Sequence, residues 1–363
     1  MYIIISNKEN DKYCIISNKY REVIIEAFHL FSEKNKDTST NHLYPFIEFL
    51  RYLKENNLEI NITNRITTIP IERIEVMFLQ DISFEDIKLI KYLNNKSISP
   101  YKIISVAEHP VYQIKNFTEY IKEFDVILCP YKLQIEYEET SFGYIFKSLP
   151  FLEKENKKEK IIDVSMICSN LSTKSNSNYS FRRHMINVIS SIDKIDFEWY
   201  GRGWQHKGII NNKKDLKYRL NSILGNPKIN SNSYNKYKGE IKDKYCLMNS
   251  KTSLAIENHS WPTGYITEKL LEPLIYGSIP LYIGTPMIHQ LGDSYNKIDK
   301  IIINEPNASK IIESIMHFKE IPINECKRIS KKLREEINRI VFESRKETNL
   351  MKSAKIIIDK LTL

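Results

Sequence analysis

The chain has few glycines, and none in its N-terminal part. All ten lie between Gly143 and Gly292, so the first 142 residues contain none. This distribution excludes a G-x-G-x-x-G dinucleotide loop from the N-terminal part, and no G-x-x-x-x-G-K-S/T phosphate loop occurs anywhere in the chain. If the protein binds a phosphorylated ligand, we expect its site in the C-terminal half.

Long apolar runs and paired cysteines are also missing. No run approaches the roughly 20 residues that a membrane-spanning helix requires, and the N-terminal MYIIIS is too short for a secretory signal. We therefore expect the chain to begin in the cytoplasm. Its five cysteines form no C-x-x-C pair, which excludes a zinc ribbon or thioredoxin motif and favours buried, reduced thiols.

The net charge of the chain is +9, from 54 Lys and Arg against 45 Asp and Glu. A basic chain suits a nucleic acid, an anionic membrane or a phosphorylated substrate. Lysines outnumber arginines 42 to 12 and are dispersed along the chain. This distribution favours a general compositional bias over a basic surface that binds a specific partner. Because zinc, helix-turn-helix and RRM strings are missing, a nucleic-acid-binding protein is the weakest alternative, and we expect no nucleic-acid partner.

The length of 363 residues predicts two domains. Strand-like and helical patterns alternate in two sets, separated by the lysine-rich stretch EKENKKEK. We therefore predict an N-terminal α/β domain at 1–152, a linker at 153–160 and a C-terminal α/β domain at 161–323, both with parallel sheets. The predicted elements are strands at 2–6, 73–79, 101–106, 125–129, 161–168, 197–200, 252–256, 278–283 and 300–303, and helices at 21–32, 44–55, 84–93, 181–192 and 267–276.

Residues 324–363 have the pattern of a basic, amphipathic helical tail. The segment 321–363 carries 11 Lys and Arg against 6 Asp and Glu. Such a helix either packs on the domains with a solvated outer face or also touches an anionic membrane. Both interpretations stay open, so peripheral attachment to the inner face of the cytoplasmic membrane is one expectation for this chain.

The strongest chemical signal lies in the segment 253–284, SLAIENHSWPTGYITEKLLEPLIYGSIPLYIG. A strand ends near Glu257, and a helix begins near Thr267. In doubly wound sheets, ligands collect at such strand ends, beside helix N-termini that favour a phosphate. Lys269 can add positive charge there, and Glu268 can accept two hydrogen bonds from a ribose. The alternative is that Glu268 only complements the helix dipole and Lys269 is solvated.

This segment resembles the signature of glycosyltransferase family 10, the α-1,3/1,4-fucosyltransferases, of the bacterial type. The matching runs are EN, then GYITEK after a short loop, then IPLYIG. Upstream, NYSFRRHMINVISSI resembles the family's arginine-bearing helix, and IISVAEHPVY resembles its strand followed by a glutamate loop. The resemblance covers roughly residues 100–305. It departs from the family at Ile256, where Phe is common, and in the loop before Tyr265, which is slightly long.

The resemblance implies a GT-B-like fold, in which two Rossmann-like domains face a cleft. The N-terminal domain would hold the acceptor, and the C-terminal domain would hold a GDP-sugar. Glu108 matches the family's proposed catalytic base, whereas His109 is expected to be structural or to face the acceptor. Arg183 best matches the arginine that contacts the donor diphosphate, although Arg182 is adjacent. The residues expected to contact the donor are Arg183, Asn258, Tyr265, Glu268 and Lys269, with Glu257 as buried support for its loop.

The implied activity is an inverting transfer of L-fucose from GDP-β-L-fucose to a hydroxyl of a glycan acceptor, in surface-glycan or lipopolysaccharide O-antigen synthesis. The alternative is a transferase for another GDP-6-deoxy or dideoxy sugar. The chain contains no D-x-D string, the usual metal-binding element of the other large glycosyltransferase fold. We therefore expect neither a metal nor another cofactor, and we expect Arg183 and Lys269 to stabilise the leaving diphosphate.

Overall fold

The computed structural model divides the chain into two compact units. The first comprises Met1–Ser148 with Val341–Leu363, and the second comprises Leu149–Ile340. Each unit contains a β-sheet with helices packed against it, so the predicted α/β class is confirmed. The residues that the structure describes are 2–7, 12–16, 49, 51–53, 55–56, 60–63, 74–80, 82, 84–106, 116–130, 133, 136–139, 160–170, 177–204, 227–241, 244–259, 266–284, 306–343 and 348–362.

The sheet of the first unit is parallel in its centre and antiparallel at one edge. Its strands are β1 (Tyr2–Asn7), β2 (Lys12–Ile16), β3 (Ile60–Thr63), β4 (Ile74–Gln80), β5 (Tyr101–Ser105), β6 (Val126–Cys129) and β7 (Glu138–Glu139). Their order is β3-β2-β1-β4-β5-β6-β7. Strand β1 pairs parallel with β4, and the parallel pairing continues from β4 through β5 and β6 to β7. At the other edge, β2 pairs antiparallel with both β1 and β3.

Helices occur between the strands, and the last three elements of the chain are all helices. Their bounds are α1 (Phe84–Asn95), α2 (Phe117–Tyr120), α3 (Tyr179–Ser190), α4 (Glu268–Ile275), α5 (Ala308–Lys319), α6 (Ile323–Glu343) and α7 (Asn349–Thr362). Among the described helices, none has the length and apolar character needed to cross a bilayer.

The core of the first unit joins its central strands to the last helix of the chain. Residues 76–79 of β4 form a run of four buried apolar side chains, as expected for a parallel strand covered on both faces. Phe78 on β4 and Ile103 on β5 pack in one cluster with Ala354 and Ile357 of α7. The ring centroids of Phe49 and Phe78 are 5.3 Å apart in the same cluster. The C-terminal helix is therefore a core element of the first unit.

The sheet of the second unit contains four parallel strands. They are β8 (Ile162–Ile167), β9 (Phe197–Tyr200), β10 (Ser250–Ile256) and β11 (Ile279–Ile283), in the order β11-β10-β8-β9. Strand β11 is buried throughout, and α4 packs against β10 and β11. This small, fully parallel sheet positions the segments that follow each strand.

A glycine lets the ends of β8 and β9 approach each other closely. Gly201 follows β9 with φ of +139°, a conformation that other residues rarely adopt. A Cβ at this position would lie 1.7 Å from the carbonyl oxygen of Cys168. The backbone N–H of Cys168 donates to the carbonyl of Tyr200 at 3.0 Å. Only glycine therefore fits where the two strand ends enter their loops.

Most predicted elements that fall on described residues are confirmed within a few residues. The confirmed elements are β1, β4, β5, β6, β8, β9, β10, β11, α1, α3 and α4, and residues 49, 51–53 and 55 are helical as predicted. The predicted strand at 300–303 and helix at 21–32 lie outside the described residues. The prediction omitted β2, β3, β7, α2 and α5. The omission of α5 was avoidable, because Asn307 caps the helix and Ile311, Ile315 and Phe318 recur at helical spacing.

The predicted parallel sheet of the first unit needs one correction. Strands β2 and β3 pair antiparallel, so this sheet is mixed. The two strands contain only five and four residues and are separated by 43 residues of chain, from 17 to 59. Pairing between such short, distant segments leaves no local pattern in the sequence.

The predicted C-terminal tail at 324–363 is divided between the two units. Helix α6 lies mainly in the second unit, where its Cys326, Leu333 and Ile337 are buried. Helix α7 lies in the first unit, because its own apolar stripe packs on β4, β5 and β6. The pattern of 324–363 is helical and amphipathic as predicted, but the apolar side of α7 faces the protein core. The predicted linker at 153–160 lies outside the described residues apart from Lys160.

Candidate functional site

The second sheet contains a point where the chain departs in opposite directions. From β8 it passes through α3 to β9 at one edge, and from β10 it passes through α4 to β11 at the other edge. Because β8 and β10 are neighbours, their carboxyl ends bound a topological switch point, where open α/β sheets bind ligands. The predicted donor-contacting residues that the structure describes all lie on the segments that leave this point.

A buried carboxylate ties the loop after β10 to the start of α4. Glu257 is fully buried, and its Oε1 accepts the backbone N–H of Thr267 at 2.9 Å. The Thr267 hydroxyl donates to Glu257 Oε2 at 2.7 Å, and its oxygen caps α4 by accepting the N–H of Lys269 at 3.3 Å. The Tyr282 hydroxyl on β11 donates to Glu257 Oε1 at 3.2 Å. The prediction that Glu257 is buried support for its loop is therefore confirmed.

The last glycine of the IPLYIG run makes room for this network. A Cβ at Gly284 would lie 2.2 Å from the hydroxyl oxygen of Tyr282. Tyr282 is fully buried, so its ring has little freedom to move away. Gly284 therefore allows Tyr282 to reach Glu257 across the end of β11.

Lys269 lies between two carboxylates at the N-terminus of α4. Its Nζ is 2.9 Å from Glu268 Oε1 and 3.5 Å from Glu257 Oε2. Burial alone would raise the pKa of Glu268, but Lys269 and Lys244 reverse this effect and lower the pKa to about 2. Burial would likewise lower the pKa of Lys269, yet the two carboxylates raise it. The side chains of Glu268 and Lys269 remain 34% and 21% exposed, so a ligand at this helix end can reach both.

Arg182 fastens the start of α3 to the loop after β10. Its guanidinium donates to the carbonyl of Ile256 and, at 2.9 Å, to Asn258 Oδ1. It also lies over the ring of Tyr179, 4.7 Å from the centroid. The neighbouring Asn178 donates its backbone N–H to the carbonyl of Asn258 at 2.9 Å. These contacts occupy Arg182 in holding two loops together.

Arg183 faces the loops after β8 and β9 and has few partners. Its guanidinium donates to Asn170 Oδ1 at 2.5 Å and lies 5.9 Å from the centroid of the Trp204 ring. Within the described part of the chain, no other hydrogen bond and no carboxylate engages it. Burial therefore lowers the pKa of Arg183, which is only 3% exposed. A guanidinium has five N–H donors, so this side chain retains capacity for an anion.

The structure places four of the six predicted site residues. Asn258 lies beside Arg182, Glu268 lies beside Lys269, and Arg183 occupies the neighbouring α3 segment of the switch point. The predicted base Glu108, its neighbour His109 and the predicted nucleotide contact Tyr265 lie outside the described residues. For these three, the assignments stay predictions.

Three polar residues near the site were missed by the sequence analysis. Asn170, after β8, holds Arg183. Lys244 pairs with Glu272, which is buried one turn after Glu268 on α4. No spacing rule signals these contacts, because each joins residues at least 13 positions apart. Only the register of the strands brings them together.

No metal-binding arrangement appears in the part of the chain that the structure describes. Within it, no group of three or more His, Cys, Asp or Glu side chains is placed to hold an ion. The expectation that neither a metal nor another cofactor is required stays a prediction, since this finding concerns the described residues alone.

Comparison with known proteins gives a partial match to a curated relative. No protein-family model matches the chain. A protein of Acanthamoeba polyphaga mimivirus named "Putative fucosyltransferase R654" is 38% identical over 94 residues. That match covers 26% of this chain and 14% of the relative, so most of the relative's length has no counterpart in the match.

Several solved structures show a limited likeness in backbone. An α1,3-fucosyltransferase is 13% identical, with 95% of this chain and 87% of the other covered, at a TM-score of 0.44. The same kind of enzyme with GDP is 12% identical, with 86% and 94% covered, at a TM-score of 0.42. A glycosyltransferase from Rickettsia africae is 15% identical, with 87% and 82% covered, at a TM-score of 0.49. At TM-scores below 0.5, these likenesses do not establish a shared fold.

The charge network at α4 predicts an unusually acidic Glu268. Its carboxyl should stay ionised at pH 4, where an ordinary Glu is about two-thirds protonated, because Lys269 and Lys244 stabilise the anion. Since this pKa is depressed in the folded state, its stabilising contribution is present above about pH 4.3 and is lost as the pH falls toward 2. The measurement is a ¹³C NMR titration of the side-chain carboxyls, with Glu268→Gln assigning the resonance.

Two controls accompany this titration. Lys269→Met should move the midpoint of Glu268 upward, whereas Lys251→Met, at the opposite end of the sheet beside Asp163, should leave it unchanged. A Glu268 midpoint near 4.3 in the wild type would contradict the prediction.

Proposed function

We propose that this chain is an inverting glycosyltransferase that moves L-fucose from GDP-β-L-fucose to a hydroxyl of a glycan acceptor, with a GT-B-like organisation. The observation that carries the proposal is Arg183, a buried cation at the switch point of a parallel sheet that, among the described residues, donates only to Asn170. The segment 253–284, which resembles the family 10 signature, contains the end of β10, α4 and β11, and a curated relative is named "Putative fucosyltransferase R654". The alternative donor, another GDP-6-deoxy or dideoxy sugar, would use the same site.

The donor diphosphate would bind between α3 and α4. Arg183 offers charge-assisted hydrogen bonds, and the N-terminus of α4 offers a favourable helix dipole. Lys269 adds a second cation at the same helix end. As the bond between C1 of the sugar and the phosphate oxygen breaks, negative charge develops on the diphosphate, and these fixed positive groups stabilise it.

The nucleoside would be held by the remaining predicted contacts. Glu268 is an ionised carboxylate that can accept both hydroxyls of a ribose. Asn258, fixed by Arg182, would orient the donor from the loop after β10. Tyr265 would stack on the nucleotide or hydrogen-bond to it.

Glu108 would act as the general base of the transfer. The acceptor hydroxyl gives its proton to the Glu108 carboxylate while its oxygen forms a bond to C1 on the face opposite GDP. The C1–phosphate bond breaks at the same time, and GDP leaves with the electron pair. Attack from the opposite face converts the β-linked donor into an α-linked product, which is the inversion that the proposal requires.

The donor site is tested by GDP binding to single variants. Arg183→Ala should weaken GDP by about tenfold or more, because a charge-assisted hydrogen bond is worth about 1.5–3 kcal/mol. Glu268→Ala should weaken GDP but not inorganic diphosphate, since it is assigned to the ribose. Isothermal titration calorimetry gives both affinities.

The matched control for the loss of a cation is Arg328→Ala. Arg328 is an exposed, ion-paired arginine on α6, and its removal should leave GDP affinity unchanged. Equal GDP affinity in Arg183→Ala and the wild type would remove the assigned diphosphate site.

Transfer itself is tested with GDP-fucose and acceptors that end in N-acetyllactosamine or related disaccharides. We expect a fucosylated product, with turnover about 10²–10⁴-fold lower in Glu108→Gln, the usual effect of losing a positioned general base. GDP affinity should survive, because the predicted donor contacts lie in the second unit. Mass spectrometry and NMR of the product identify sugar and linkage.

His109→Gln serves as the control for this experiment and should cost much less activity. Near-normal turnover in Glu108→Gln would move the base elsewhere. A product from a different GDP-deoxy sugar, with none from GDP-fucose, would select the alternative donor.

Cytoplasmic location and peripheral membrane contact are also proposed, with a surface-glycan or lipopolysaccharide role. Because the apolar side of α7 is buried, contact would rest on exposed charges such as Lys331 and Lys332 of α6. Their double change to Gln should reduce cosedimentation with vesicles that contain phosphatidylserine, by an amount that shrinks as salt rises. If the wild type and the double variant sediment equally with the vesicles, the role of α6 is limited to packing within the protein.

A further inference from the structure

Asn170 lies where its amide group meets the guanidinium of Arg183. Asn170 is 2% exposed and follows β8 by three residues. Its backbone N–H donates to the carbonyl of Arg202 at 2.8 Å, which fixes the loop after β8 on the segment after β9. The backbone of Asn170 is thus fixed independently of its side-chain contacts.

The amide of Asn170 can point in only one direction. Its Nδ2 donates to the carbonyl of Gly203 at 2.9 Å. A carbonyl only accepts hydrogen bonds, so the nitrogen of the amide must face Gly203 and the oxygen must face Arg183. The Oδ1 atom then accepts from the Arg183 guanidinium at 2.5 Å.

A neutral acceptor has a particular consequence for an anion site. A carboxylate at this position would pair with Arg183 and compensate its charge, whereas an amide oxygen fixes the geometry and leaves the charge available. The other groups whose electrostatic effect reaches Arg183 among the described residues are the Cys168 thiol and the Tyr234 hydroxyl, both neutral near pH 7. Among the described residues, Arg183 is therefore oriented by a hydrogen bond and paired with no opposite charge.

We propose that Asn170 is a positioning residue that aims the Arg183 guanidinium at the donor diphosphate without neutralising it. The inference rests on the proposed function, because it assigns the diphosphate to Arg183. The inference requires the Asn170 side chain to be uncharged, so that the charge of Arg183 stays available to the ligand. A residue that only fills space would carry no such requirement.

The test compares Asn170→Asp and Asn170→Ala in the full-length chain, with GDP, inorganic diphosphate and guanosine as ligands. Asp keeps the shape and the acceptor oxygen but adds a charge that pairs with Arg183. Ala removes the hydrogen bond that orients the Arg183 guanidinium but leaves the charge of Arg183 unpaired with any new group. We therefore expect GDP and diphosphate affinity in the order wild type, Ala, Asp, with Asp weaker than the wild type by about tenfold or more, the loss of one charge-assisted bond. Guanosine affinity should change less than about twofold.

Asn187→Asp is the charge-matched control. Asn187 lies on α3, like Arg183, but its side chain contacts Lys228, Asn230 and Ser233 away from the switch point. This variant should leave GDP affinity within about twofold of the wild type. A melting temperature for each variant separates loss of folding from loss of binding. If the Asp variant does not fold, Asn170→Ala still tests the orienting role, and a diphosphate affinity equal to that of the wild type would overturn the inference.

The outcomes distinguish the inference from the function on which it rests. If Asp is milder than Ala for diphosphate, Asn170 only fills space and the inference fails. If the wild type binds GDP through Arg183 but both Asn170 variants bind GDP as tightly as the wild type does, the inference fails and the proposed function stands. If the wild type does not bind GDP, both are overturned.

Discussion

The buried carboxylate of Glu257 is the interaction on which the arrangement of the candidate site depends. It connects the loop after β10, the cap residue Thr267 and the β11 residue Tyr282, and it faces the ammonium of Lys269. Removing an ion from water costs several kcal/mol, so a fully buried carboxylate is tolerated only when hydrogen bonds and an opposite charge replace its hydration. The start of α4 therefore has one position in which Glu257 is satisfied. That position sets where the helix presents the positive end of its dipole and the side chains of Glu268 and Lys269.

Two adjacent arginines divide the work at the start of α3. Successive helical residues point about 100° apart, so Arg182 and Arg183 contact different loops. Arg182 is consumed by Asn258 and the carbonyl of Ile256, which fixes the loop after β10. Among the described residues, Arg183 donates a single hydrogen bond, to Asn170, and keeps its remaining N–H donors for a ligand. The contrast separates a structural cation from one that is prepared to meet an anion.

The sequence predicted the second sheet well because parallel, buried strands appear as short apolar runs followed by loops with glycine or polar residues. The same reasoning located the α4 helix, since Thr267 and Glu268 form a recognisable N-terminus. It could not find Asn170, because an isolated polar residue after a strand carries no period or spacing. Nor could it give the antiparallel pairing of β2 with β3, which depends on contacts between distant segments. Local chemistry was predictable, whereas contacts that require the strand register were not.

The two cations of the candidate site differ in what a ligand must displace. Lys269 already satisfies Glu268 and Glu257, so a diphosphate gains from it only to the extent that those carboxylates find other partners. On the proposed function, ribose hydroxyls that bond to Glu268 would supply one such partner, which links recognition of the nucleoside to that of the phosphates. Arg183 carries no such competition among the described residues, because its one hydrogen-bond partner there is a neutral amide. The affinity for a bare diphosphate should therefore depend mainly on Arg183, while the preference for a nucleoside diphosphate should depend on the coupled pair on α4.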